Sequence, residues 1–554
     1  MNKQRTQIKA TFASKRFPEL VLVITFLLSA FVTWHMTGRF LDSDASSELV
    51  LAKHLSQTGQ ILSRDWFYST ELRVLNTQLV YAPLFLLFED WHMVRFAGAI
   101  LLQILYIASY GFVMKQARVD RGVICGSACL LLLPVSVNYG RILLYHGYYI
   151  PHIILSFVLT GLLLDLCREG SRRRKWSCGG LLILLSFIGG LGGVRQLMIT
   201  HAPLLAVAMV CILMELRIPG ENGKAQARPE MLRLLLWGLA GAAASFVGLK
   251  VNTGLLSKLF SFTDQSVAVL AITDGSAWDD IAYGFFHQFG FRTGVPMLSL
   301  LGILSLAGVL AAGVCVFLSV RWARCYTQKE EPEKTVLSTM FTWYVAVMAA
   351  VFVFAGEGYH YHLYLTFCIP WAVPVLAVKV SQWRTKSAAA LTEKLFVMLT
   401  AAVLVANGLA NCAFFCGAET FDQRYEGLGF REKDKAQQLE GPVRFLLEEG
   451  FDMGYATFWE GNILTELSDG ALPMVNIQCD EEWGYADCHY HDWLTSRYQR
   501  EVEAQRPFVL LDITSREVFQ ETDSVQVCRL VYEDEDHCIY EILDQQQFDF
   551  MLNY

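Results

Sequence analysis

Leu20-Val-Leu-Val-Ile-Thr-Phe-Leu-Leu-Ser-Ala-Phe-Val-Thr-Trp-His-Met-Thr-Gly38 is an apolar run that leads directly into Leu41-Asp42-Ser43-Asp44, with Glu48 four residues on. The span, roughly Glu19 to Phe40, meets no charge until Arg39 near its end. At 1.5 Å per residue it can cross a hydrocarbon core of about 30 Å. Lys3, Arg5, Lys9, Lys15 and Arg16 precede it, so a signal peptide must be weighed. The apolar run is too long for one and lacks a small-residue cleavage site, so the segment is read as a retained first helix.

The rest of the composition fits that beginning. Hydrophobic residues make up 54% of the 554 residues, charged ones 18%, and the mean hydropathy is +0.35, which excludes an ordinary soluble globule and indicates a polytopic α-helical membrane protein. Further spans are expected near 94–115, 122–138, 148–168, 177–194, 197–216, 233–251, 295–320, 337–356, 363–380 and 394–416, about eleven transmembrane helices in all. Basic clusters such as Lys115, Arg118 and Arg121, and Arg172, Arg173, Arg174 and Lys175, fall in every second loop. By the positive-inside rule the N-terminus is cytoplasmic and a C-terminal tail is extracytoplasmic, as in a multi-pass plasma-membrane protein. The net charge of −8, with Lys and Arg confined to short loops, argues against nucleic acid as a partner. Residues 78–89 are apolar but too short to span, and are expected to be re-entrant or interfacial.

This topology divides the chain into a membrane domain, 1–416, with a first external loop at 42–93, and an extracytoplasmic α/β domain, 417–554. In the tail the pattern predicts helices at 434–449, 461–468 and 490–502, and strands at 453–458, 471–477, 508–512, 525–532 and 537–543. Such alternation suggests a layered sheet with helices.

Were a helix to start at Asp44, Glu48 would lie one turn on and point the same way, while Asp42 approaches from the loop. Convergent carboxylates accept a proton or bind a divalent cation. Against this, Asp42, Ser43 and Asp44 are also good helix caps, favoured at an N-terminus by the dipole.

The window Asp44-Ala-Ser-Ser-Glu-Leu-Val-Leu-Ala-Lys-His-Leu55 resembles the start of the first external loop in the C-type glycosyltransferase superfamily. These are polytopic enzymes that use polyprenyl-phosphate sugars, among them protein O-mannosyltransferases and lipid A aminoarabinose transferases. Asp44, Ala52 and Leu55 fall on the superfamily pattern; Ala45 and Glu48 depart from it, where the family often has Glu and an aromatic. The resemblance implies a glycosyltransferase that moves a sugar from a polyprenyl phosphate in the bilayer to a glycan, lipid or protein acceptor, with Asp44 the catalytic carboxylate. Asp42 or Glu48 supplies a second acid, and a divalent cation held by Asp42 and Asp44 is a further expectation.

A phosphate leaving group needs cations. The external loop ends offer Arg141, His146, Arg195, His360 and His362, arginine being the better clamp because its planar fork binds two oxygens. Each also has a plainer role among headgroups or in interfacial packing. Trp459 and Glu460, at a strand end in the tail, are candidates to bind the acceptor, since ligands usually bind at the C-terminal ends of strands in α/β domains. Of the 14 cysteines, Cys479, Cys488, Cys528 and Cys538 lie in the tail, where a Cys479–Cys488 bridge closes the shortest loop. The rival readings are a lipid or glycan transporter, which would favour ionisable groups at mid-membrane and paired repeats, and a membrane-anchored binding protein acting through its tail.

Overall fold

The computed structural model describes residues 2–69, 72–217, 226–263, 276–324, 331–354, 367–383, 391–417, 434–482 and 485–553. Among them, eight helices are long and apolar enough to cross a membrane, from Arg16–Thr37 to Leu391–Gly417, and nine if a bent pair counts as one span. Two of the eleven expected spans are helical but fall outside that set. Arg172–Leu191 opens on four basic residues, and Cys368–Trp383 has 16 described residues.

The chain enters through α1 (Asn2–Thr37), turns, and starts α2 (Ser43–Thr58), which ends at Gly59 in the left-handed region at φ 65°. Helix α3 (Gln78–Leu84) is only seven residues long, far too short to span. It packs between α2 and α4 (Trp91–Gln116). Instead of the continuous span expected at 122–138, α5 (Arg121–Leu132) and α6 (Val137–Arg141) meet at a bend of 100°. The cause is local: Pro134 has no N–H to give and blocks the turn before it, and Ser136 caps the new helix by accepting from the Tyr139 amide at 3.1 Å. Helix α6 then widens into a π turn, Ile142–His146, closed by Gly147 at φ 69°, before α7 (Ile150–Cys167).

Membrane helices associate by close backbone approach at small residues. Helices α8 (Arg172–Leu191), α9 (Ala202–Glu215) and α10 (Pro229–Gly254) pack together, and α8 and α10 approach at small residues. A Cβ on Gly190 would strike the Ser245 carbonyl oxygen, and one on Gly248 the Phe187 carbonyl oxygen.

A three-stranded sheet joins distant segments: β1 (Trp66–Tyr68) pairs in parallel with β2 (Ser261–Phe262) and antiparallel with β6 (Thr495–Ser496) of the tail. The tail's own sheet has the order β5 (Tyr485–Tyr490), β4 (Met474–Glu482), β3 (Met453–Thr457), β7 (Pro507–Asp512), β9 (His537–Ile542), β8 (Cys528–Glu533). Its parallel centre is β3 between β4 and β7; β5, β9 and β8 add antiparallel strands at the sides. Cys479 and Cys488 are register partners on β4 and β5 and form a disulfide, while Cys528 and Cys538 are free thiols. The helix expected at 490–502 is not formed. Leu494 sits at φ 47°, outside the helical region, Thr495–Ser496 extends to pair with β1, and only a short 3-10 turn, Arg497–Glu501, follows.

Candidate active site

The site assembles where α2 begins. Asp42 is the N-cap, extended at φ −132° and ψ 135°, and its Oδ1 accepts from the Ala45 amide at 3.2 Å. Capping fixes the first turn, so Asp44 emerges half-buried beside Asp42. Glu48 follows one turn later on the same face but is fully committed: it accepts a short hydrogen bond from Thr77 Oγ1 and lies 3.2 Å from Arg73 Nε, with 2% of its surface exposed.

Opposite Asp42 stands the π turn. Arg141 Nη2 and His146 Nε2 each lie 3.8 Å from Asp42 Oδ2, and both side chains are buried. A π turn pushes side chains out of the ordinary helical rows, and such turns often mark functional sites; here it brings residues 141 and 146 to one carboxylate. His146 Nδ1 is 3.4 Å from the Tyr148 hydroxyl, and the two rings stack at 5.5 Å. Tyr148 meets Tyr149 at 4.8 Å, and the Arg195 guanidinium lies 4.9 Å over the Tyr149 ring while donating to His152 Nε2 at 2.8 Å. Arg195 is thus linked to the carboxylates through aromatic rings, not by direct contact.

The two aspartates are driven apart electrostatically. Burial raises the Asp42 carboxyl, but His146, Arg141 and the Ala45 amide outweigh it and hold it below the usual range. Asp44 is pushed up to about 7: burial is the main cause and the neighbouring Asp42 charge the next, with Glu48 adding and Arg73 and Arg141 opposing. One carboxylate stays ionised and structural, while the other titrates near neutrality. No ion pair holds the Asp44 carboxylate among the described residues.

Of the residues expected from sequence, Asp42, Asp44, Glu48, Arg141 and His146 come together, with Arg195 one layer behind. His360 and His362 lie outside the described residues. Trp459 is exposed against Phe458, and Glu460 is buried, accepting from Lys435 Nζ at 2.9 Å and from Thr457 Oγ1. Among the described residues no hydrogen bond, ion pair or ring contact links either to the aspartates. Nor is any group of three or more His, Cys, Asp or Glu there placed to hold a metal ion. Sequence reasoning missed Arg73, Thr77, Tyr148, His152 and Arg95. Arg95 had a signal, a charge inside an otherwise apolar helix, which in a membrane is a functional hypothesis by default.

No protein-family model matches the chain, and no curated protein matches it by sequence. Solved structures do. The chain is similar to ArnT from Cupriavidus metallidurans bound to undecaprenyl phosphate, with 12% identity, a TM-score of 0.49, and 94% of this chain and 97% of that one covered. For the same protein in the apo state the TM-score is 0.42. It is also similar to the arabinofuranosyltransferase AftD from mycobacteria, at 11% identity and a TM-score of 0.44, over 94% of this chain but 40% of that one. At such identities and TM-scores these are likenesses, and the chemistry is read from the side chains.

Proposed function

We propose that this chain is an integral-membrane glycosyltransferase that moves a sugar from a polyprenyl-phosphate donor to an acceptor on the extracytoplasmic face, with Asp44 as general base. Asp44 removes the proton from an acceptor hydroxyl or amine, the acceptor atom bonds to the anomeric carbon as the bond from that carbon to the phosphate oxygen breaks, and polyprenyl phosphate leaves with the electron pair. A single displacement of this kind inverts the anomeric centre. The carboxylate is suited to the work because a base with a pKa near the operating pH combines availability with driving force. Arg141 faces the same carboxylate pair and supplies positive charge where the leaving phosphate gains negative charge, with the buried His146 ring beside it.

The observation that carries this reading is the pairing at the start of α2: Asp42, the helix cap, 3.8 Å from the Arg141 guanidinium, with Asp44 beside it, half-buried and pushed up to about 7. Pairs of titratable groups pushed apart by their surroundings mark acid–base sites. A panel of polyprenyl-phosphate sugars incubated with membranes carrying wild-type or Asp44→Asn protein tests it. Mass spectrometry should detect free polyprenyl phosphate with wild type and a loss of at least about a hundredfold with the variant. Equal release by both removes Asp44 from the reaction.

A further inference from the structure

The helix Phe458–Leu467 of the tail reaches into the membrane domain. At its C-terminal end Glu466, 5% exposed, takes Arg95 of α4 in a two-pronged ion pair: Arg95 Nε donates to Oε1 at 2.5 Å and Nη2 donates to Oε2. The other Glu466 bond comes from Ser46 Oγ, which donates to Oε2 at 2.6 Å from the first turns of α2, two residues beyond Asp44. The same guanidinium sends Nη1 to the Tyr145 carbonyl oxygen at 3.2 Å, the residue before His146 in the π turn. A second anchor lies beside the first, where Asp469 Oδ1 accepts from the Trp91 amide at 2.8 Å. Residues 91 and 95 are one turn apart on α4, and 466 and 469 one turn apart on the tail, so the two contacts fix orientation as well as position.

We propose that Arg95 and Glu466 are positioning residues through which the docked C-terminal domain sets the first turn of α2 and the π turn opposite it, so that Asp42 and Asp44 face Arg141 and His146 only when the tail is seated. The inference rests on the glycosyltransferase reading for its catalytic consequence, while its structural part stands without it. One buried guanidinium joins three segments, two of which carry members of the site: Ser46 on the Asp44 helix, Tyr145 on the His146 turn, and Glu466 on the tail. A carboxylate and guanidinium buried together have no other way to be solvated, so their geometry is held tightly. A misplacement of about 1 Å in a reacting group is enough to cost about a hundredfold in rate.

The experiment compares full-length wild type, Glu466→Gln, Glu466→Asp and Asp469→Asn in lipid nanodiscs by hydrogen exchange, with donor turnover measured on the same samples. Glu466→Gln keeps volume and one hydrogen-bond acceptor but removes the charge. The expected result is faster exchange at the amides of Ser43–Glu48 and Arg141–His146, with the far end of α2 and the tail's sheet as protected as in wild type. Turnover is expected to fall by at least about tenfold in kcat with the donor KM unchanged, as when an interaction made only in the transition state is lost, and Glu466→Asp should recover part of it. Unchanged exchange at both turns, or a loss of protection spread evenly over the protein, overturns the proposal. Normal exchange changes without any turnover by wild type would instead remove the glycosyltransferase reading and leave the domain coupling in place.

Discussion

At the scale of single residues, the environment of Asp44, the proposed base, makes a prediction about rate and another about stability. As a base it must be ionised, so kcat/KM should rise with pH through about 7 and level off above. For stability the sign is opposite. A carboxyl whose folded pKa lies above its unfolded value of 3.8 binds its proton more tightly when folded, so stability declines as pH climbs from about 4 to about 7 and the full cost applies beyond that. Asp44→Asn should therefore raise the melting temperature at about pH 8 and have little effect at about pH 4. Thermal unfolding in detergent at the two pH values checks it, and equal shifts at both would contradict it. Glu48 behaves differently because both its oxygens are engaged and buried. Glu48→Ala takes the carboxylate away from Arg73 and Thr77 and should destabilise by roughly 3 kcal/mol. The convergence of Asp42, Asp44 and Glu48 could be read from spacing, since residues four apart share a helical face. Which of them is spent on structure could not, because Thr77 and Arg73 lie beyond the end of α2, in the loop that follows β1.

Among the elements, the bend at Leu133–Ser136 does most to shape the site. Pro134 is visible in the sequence, yet hydropathy alone runs 122–138 into one span, because every residue around the proline is apolar or small. The π turn was equally hidden: widening a helix by one residue leaves no periodic mark in five residues. The spans themselves, the strands β3 and β7 and the β8–β9 hairpin follow apolar runs and alternation closely, while 490–502 was misread because its helix-like polar composition says nothing of Leu494's backbone or of the β1 edge that Thr495 and Ser496 pair with. Between α8 and α10 the approach of backbones at Gly190 and Gly248 leaves no room for a side chain. Gly190→Val should cost about 1–3 kcal/mol by overpacking, and Gly180→Ala, where a Cβ meets nothing within 4 Å, should cost far less. Melting curves of the two variants in the same detergent would show the difference, and equal losses would mean that the close approach does not hold the helices.

On the scale of the whole molecule, a membrane body and an α/β tail meet at the buried Arg95–Glu466 pair. Composition divides them cleanly near residue 417, but the Arg95–Glu466 contact, spanning 371 positions, is beyond any reading of local pattern. The positive-inside rule, applied to the alternation of basic loops, predicts the tail outside and the N-terminus in the cytoplasm. Cysteines placed singly at Leu543, 63% exposed in the tail, and at Trp176, 70% exposed beside the Arg172–Lys175 cluster, report this directly. In intact cells a membrane-impermeant maleimide should modify the first beyond the parent protein and leave the second untouched. The reverse pattern would invert the topology and put the aspartates on the cytoplasmic face.

The most direct measurement is the release of polyprenyl phosphate from a polyprenyl-phosphate sugar, followed across pH for wild type and Asp44→Asn at equal protein levels. The account predicts a wild-type rate that rises through about pH 7 and a variant with almost no rate at any pH. A variant that keeps the wild-type rate and profile would contradict it, because the base would then be some other group.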